Sequence, residues 1–297
     1  MRGRQDVEFQ TLDGLTLRGW LFPAAQRGPA IIMTPGFNNV KEMIISEVAE
    51  YFHEAGFTVL SYDPRTMGAS DGTPRNEAHP GRNVEDYHDA FTYLKHHQSQ
   101  VVDPGRVAYW GYSFSGMVAL CAAALDKRAR AVVAVSPLTV WEFTKWRQVL
   151  AKSMKDRESR LSGNDPVRLP MLTESGQHPA GFGTGFEEED VYNIISRAAE
   201  VQPTFVAETT LSTYYHIAAF QPFGLMPHVS PTPVLVVTGE DDLVSPAGLQ
   251  KTLVYDVFRE PKQMLSVPGK GHMNILSGQD ALKVLDDQIV FLRKYLG

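Results

Sequence analysis

The chain has 297 residues, with 28 basic and 34 acidic side chains and a formal net charge of −6 at pH 7. This length predicts one large domain or two modest ones, with a core that needs no covalent staples. Hydrophobic residues at 43% against 21% charged exclude a disordered or collagen-like chain, and the acidic balance argues against bulk nucleic-acid binding, which needs a basic face.

Residues 6–10 and 15–21 flank Asp13-Gly14, a hairpin pattern. Residues 30–34 read as an apolar strand that stops at Pro35-Gly36. Residues 41–55 have helical period, with Met43, Ile44, Val48 and Phe52 near one face and Gly56 closing the helix. A strand at 58–62, a helix at 83–97, a strand at 107–110, an alanine-rich helix at 115–126 and a strand at 131–135 follow. After a gap come a strand at 233–238, a helix at 246–257, a strand at 263–267 and a last helix at 280–295. Such alternation predicts an α/β fold whose mostly parallel sheet is covered by helices on both faces. The gap, 136–232, has helical patterns and loops rich in glycine and proline, such as Gly181-Phe182-Gly183-Thr184-Gly185. It predicts a helical cap at 137–232 inserted over one end of a core made from 1–136 and 233–297.

The sharpest motif is Gly111-Tyr112-Ser113-Phe114-Ser115-Gly116, between a strand and an alanine-rich helix. A tight strand-to-helix turn strains its central residue and needs small neighbours two positions either side, here Gly111 and Ser115. It lifts the Ser113 hydroxyl clear of the sheet and leaves the Phe114 N–H to bind a developing oxyanion. A serine hydroxyl is a weak nucleophile, so it needs a base, and the base needs an orienter. Two late strands end at suitable loops, Gly239-Glu240-Asp241-Asp242 and Gly269-Lys270-Gly271-His272. In open parallel sheets, active sites collect at such strand ends. His272 is the expected base. Asp242 is the first choice for the acid, with Asp241 and Glu240 as competitors. The loop Thr34-Pro35-Gly36-Phe37-Asn38-Asn39 should supply a second oxyanion donor, the N–H of Phe37 first and Asn38 next.

Taken in chain order, these motifs resemble the α/β-hydrolase superfamily over the whole length. More narrowly, the chain is similar to a fungal branch of polyketide-associated hydrolases and acyltransferases. The stretches that carry this likeness are Pro35 to Met43, Tyr62-Asp63-Pro64-Arg65, Gly68-Ala69-Ser70-Asp71-Gly72 and Ser113 to Lys127. The resemblance implies an α/β-hydrolase fold and release or transfer of acyl chains from polyketide synthases. Its loop begins Thr-Pro-Gly where many superfamily members have His-Gly.

Other features have plainer readings. Asp63 and Arg65 should tie the loop after their strand. Glu187-Glu188-Glu189-Asp190 reads as a solvated loop and helix start. His178, His216 and His228 are scattered and there is no HExxH, so no metal or other cofactor is expected. Cys121, the single cysteine, excludes an internal disulfide and should be inert packing. The first residues lack the apolar stretch of a secretory leader, and no apolar run reaches the ~20 residues of a membrane helix. A cytoplasmic protein without a membrane span is expected.

The expected activity is that of a serine esterase or thioesterase on a small-molecule acyl substrate. The alternatives are an acyltransferase using the same triad and a non-hydrolytic lyase or ligand-binding protein. Phe143, Trp146, Val149, Leu150 and Met154, then Phe205, Tyr214, Tyr215, Phe220 and Phe223, are candidates for an apolar acyl pocket, with Asn38, Trp146 and Tyr214 as substrate contacts. Residues 141–160 hold Lys145, Arg147, Lys152, Lys155, Arg157 and Arg160 against Glu142, Asp156 and Glu158. That basic stretch is a candidate docking face for an acidic acyl-carrier domain.

Overall fold

In a computed structural model, which describes every residue except 1, 2, 142, 182, 183 and 279, the chain builds an eight-stranded sheet. Its strands are β1 (Gln5–Gln10), β2 (Thr16–Phe22), β3 (Gly28–Thr34), β4 (Thr58–Tyr62), β5 (Val102–Tyr112), β6 (Ala131–Val135), β9 (Val234–Gly239) and β10 (Lys262–Val267). They lie in the order β1-β2-β4-β3-β5-β6-β9-β10. β1 pairs antiparallel with β2, and β2 with β4; the remaining neighbours are parallel. Parallel neighbours need crossovers, and the helices that supply them cover both faces. α1 (Ile45–Glu54) and α8 (Ala281–Leu296) pack on one face, and α2 (Pro80–His97) and α3 (Phe114–Leu125) on the other.

Strand β5 shows how sequence period becomes two cores. Ala108, Trp110 and Tyr112 point to the α1/α8 side, while Val107 and Tyr109 point to the α2/α3 side. Buried polar groups on this strand are paired: Trp110 Nε1 donates to Gln288 Oε1 at 2.8 Å, and Tyr109 Oη donates to Asp126 at 2.7 Å. Helix α3 is apolar all round and nearly every residue is buried, as befits the helix under the middle of the sheet. Burial pushes the Cys121 thiol well up, so it stays protonated.

Between β6 and β9 lie α4 (Trp146–Leu161), β7 (Arg168–Pro170), α5 (Val191–Val201), β8 (Glu208–Thr210), α6 (Leu211–Ala219) and a 3-10 segment, Pro222–His228. The antiparallel β7–β8 ribbon is a departure from the all-helical expectation. Three-residue strands are too short to show a period of two.

Two other elements differ from expectation. Helix α1 begins at Ile45 rather than at 41, because Asp63 captures both the Lys41 N–H and its ammonium, each at 2.8 Å. The helix expected at 246–257 is a short α7 (Ala247–Leu249), a π-turn at Gln250–Val254 and a 3-10 turn at Tyr255–Val257. Glu142 of the basic stretch and Phe182-Gly183 of the glycine loop lie outside the described residues. Among the described residues, no helix is long and apolar enough to cross a membrane.

Candidate active site

The C-terminal ends of β5, β9 and β10 bring three side chains together. Ser113 follows β5 directly and holds φ 57°, ψ −121°, a conformation costly for a residue with a Cβ. The surrounding turn overdetermines it. A Cβ on Gly111 would collide with the Ser115 carbonyl, and one on Gly116 would come 3.1 Å from Pro137 Cα. Glycine is therefore required at 111 for the close approach of strand and helix. The Ser113 N–H donates to the Val135 carbonyl at 2.9 Å, which ties the turn to β6.

His272 lies just past β10. Its Nε2 is 2.8 Å from Ser113 Oγ, and its Nδ1 is 2.9 Å from Asp242 Oδ2 and 3.1 Å from Oδ1. Asp242 follows β9 and is 2% exposed, whereas Glu240 and Asp241 face solvent. Among the three acids considered for the orienting role, Asp242 makes the contact. Its Oδ1 accepts the Ser245 N–H at 2.7 Å, and its Oδ2 accepts Gln250 Nε2 at 3.2 Å. The π-turn carries Gln250 inward to that position, a role no local pattern announces. Tyr112 Oη donates to the His272 carbonyl at 2.7 Å. Burial, with Asp242 and Glu189 adding negative charge nearby, pushes the Tyr112 phenol well up, so it remains a donor.

The loop after β3 closes on the nucleophile from the other side. A Cβ on Gly36 would sit 3.3 Å from Ser113 Cβ, so glycine lets the backbone come close. Phe37 follows, with its ring edge-on to Phe114 at 5.6 Å between centroids. Phe114 is the first residue of α3, where N–H groups have no intrahelical carbonyl to bond. Asn38 adopts φ 55°, and its Nδ2 donates to the Glu208 carbonyl at 3.0 Å. It is thus committed to the β8 end, and the cleft wall carries Asn39 instead.

Ser113 and His272 open into an apolar cleft of about 660 Å³, counting its open mouth. Met171, Leu172, Phe186, Val191 and Ile195, all between β6 and β9, form the far wall. The aromatic residues expected there do not. Trp146 stacks on Phe143 at 5.5 Å, and Tyr214 is fully buried behind the wall, its hydroxyl 3.3 Å from His178 Nε2. Met154 and Tyr215 of the same two groups are exposed. Burial pulls the His178 imidazole down to about 3, so this polar wall group is neutral at pH 7. Among the described residues, no cluster of three or more His, Cys, Asp or Glu could hold a metal ion.

A serine on a strained strand-to-helix turn, followed in chain order by an acid and a histidine from later parallel strands, defines a hydrolase of the α/β class. The alpha/beta hydrolase fold family matches residues 29–279, and the chain belongs to that family. A thiohydrolase of Eupenicillium brefeldianum is 49% identical over 98% of this chain and 94% of its own length. A polyketide transferase of Stachybotrys chlorohalonatus is 46% identical over 99% and 98%. The solved structure of the alpha/beta hydrolase GrgF from Penicillium superposes with a TM-score of 0.89 at 39% identity, covering 99% of both chains. The chain is an enzyme of the hydrolase and acyltransferase kind, and a small-molecule substrate suits it.

Proposed function

We propose that this protein cleaves an acyl thioester, releasing a polyketide-type chain through an acyl-enzyme on Ser113. The observation that carries the reading is the unbroken Ser113–His272–Asp242 hydrogen-bond chain at the base of an apolar cleft. Ser113 Oγ attacks the thioester carbonyl while His272 Nε2 takes its proton. Asp242 holds the ring so that Nδ1 keeps its hydrogen, and it stabilises the imidazolium. The Phe114 and Phe37 N–H groups hold the oxyanion. Collapse breaks the C–S bond, and the leaving sulfur takes the proton from His272 Nε2. Water then attacks the acyl-enzyme, gives a proton to the same nitrogen, and the acid leaves with Ser113 restored.

An alcohol in place of water would make the reaction an acyl transfer with the same residues. Relatives bear names for both reactions. Residues 137–232 act as a cap in this reading, supplying the acyl-chain wall. The exposed Arg147, Lys152, Lys155 and Arg157 of α4 offer a basic face to an acidic acyl-carrier domain. A single buried thiol and no possible internal disulfide suit the cytoplasm.

The test is kcat/KM on acyl thioesters from acetyl to decanoyl. An apolar cleft predicts a rise with chain length, and a Ser113 nucleophile predicts abolition of turnover on every substrate in Ser113→Ala. Activity peaking on acetyl and falling steadily thereafter would remove the acyl-chain reading.

A further inference from the structure

The acidic run at 187–190 is not simply a solvated turn. Glu189 reaches from the inserted segment to the two loops that carry the acid and the base. Its Oε1 accepts the Leu243 N–H at 2.9 Å, and its Oε2 accepts the Met273 N–H at 3.0 Å. Leu243 directly follows Asp242, and Met273 directly follows His272. One carboxylate therefore bridges the backbones of both residues, which come from different strands.

Three independent features show that the bridge is built in. A Cβ on Gly271 would stand 2.7 Å from Glu189 Oε2, so glycine before the histidine makes room for the carboxylate. Thr184 Oγ1 donates to the Leu243 carbonyl at 2.9 Å, so the segment holds both backbone polar groups of Leu243. Gly185, at φ 69°, packs so closely on Leu243 that a Cβ would collide. Leu243 itself is 46% exposed, so burial alone does not fix this loop. Charge-assisted bonds of this kind are about twice as strong as neutral ones.

We propose that Glu189 is a positioning residue that aligns His272 with Asp242 by tying together the two loops that carry them. The same short stretch carries Phe186 and Val191 of the cleft wall. The inference rests on the triad reading above. Glutamine at 189 keeps the size but presents one acceptor and one amide to two donors, so one bond becomes a clash of N–H groups. Alanine removes both bonds.

The experiment compares Glu189→Gln and Glu189→Ala with the exposed neighbour Glu188→Gln, using octanoyl thioester turnover and thermal unfolding. It also follows the low-field proton resonance of the His272 Nδ1–H. Misplacing a catalytic group by about 1 Å can cost on the order of 100-fold. The expected result is a fall in kcat of about 10- to 100-fold in both Glu189 variants, with KM within about threefold. The Nδ1–H resonance should shift or broaden in Glu189→Gln, and Glu188→Gln should match the wild type in every readout. Wild-type kcat in Glu189→Gln with an unmoved resonance would overturn the proposal. So would a loss confined to KM or to the unfolding temperature. Ser113→Ala, assayed alongside, separates the two readings. Turnover surviving in it removes the triad itself, whereas its loss beside a fully active Glu189→Gln removes only the bridge.

Discussion

Tyr112 donates its hydroxyl proton to the carbonyl of His272, 160 positions away in the chain, at 2.7 Å. The residue before the nucleophile thus anchors the residue that serves it, and the ends of β5 and β10 are tied together although two strands, β6 and β9, lie between them. Tyr112→Phe should leave that buried carbonyl without its donor, costing about 1–3 kcal/mol in urea unfolding. It should also lower kcat more than it raises KM. An unchanged kcat would show that the loop holds His272 without help.

The acid can be assigned by substitution. Asp242→Asn keeps the size but favours the wrong imidazole tautomer, so kcat should fall by about four orders of magnitude. Asp241 is exposed, and Asp241→Asn should stay within about twofold, as surface substitutions generally do. Steady-state kinetics on both variants check the order; the reverse order would move the orienting role to Asp241.

Stability should fall on mild acidification in a way traceable to His178. Burial first, and then the nearby Lys145 charge, pulls its imidazole from 6.5 to about 3 in the folded chain. The unfolded chain takes up a proton below about pH 6.5 that the folded chain refuses, so the contribution is full above 6.5 and is lost as pH falls towards 3. Each such proton sets a limit of about 1.4 kcal/mol per pH unit. His79, brought down to about 4 by burial and by His216, adds a second loss of the same sign. Urea midpoints at pH 7, 5.5 and 4.5 should decline less steeply in His178→Asn than in the wild type. Parallel slopes would contradict this account.

The basic face of α4 makes a salt-dependent prediction. Lys152 and Lys155 are exposed, and Asp156 beside them is buried and engaged with the Val167 N–H at 2.7 Å. Reversing both lysines to glutamate should lower kcat/KM for a carrier-bound thioester at low ionic strength and leave a small free thioester unaffected. The difference should vanish at high salt, where screening is nearly complete within a few ångströms. Equal effects on both substrates would exclude docking at this face.

Much of the site was legible from residue order alone. Ser113, Asp242 and His272 each follow an apolar run that ends in a glycine-bearing loop, and the geometry of a parallel sheet sends such loops to one edge. Glu189 and Gln250 were not legible, because their contacts span 84 and 8 positions between loops with no shared periodicity. An acidic run before a helix looks the same whether it meets water or two backbone N–H groups. Trp146 and Tyr214 mark the opposite limit. Their spacing predicts an apolar face, but that face meets Phe143 and His178, and the cleft wall comes from Met171, Leu172 and the Phe186–Ile195 region. The Gln250 π-turn adds a residue's width to a helix that composition alone would draw as regular.

The proposed acyl-Ser113 intermediate is covalent, so intact-protein mass spectrometry during octanoyl thioester turnover detects it. A population heavier by one octanoyl group minus a hydrogen is expected, mapped by peptide digestion to Ser113 and absent from Ser113→Ala. Turnover with no acylated species at any time, together with an active Ser113→Ala enzyme, would contradict it.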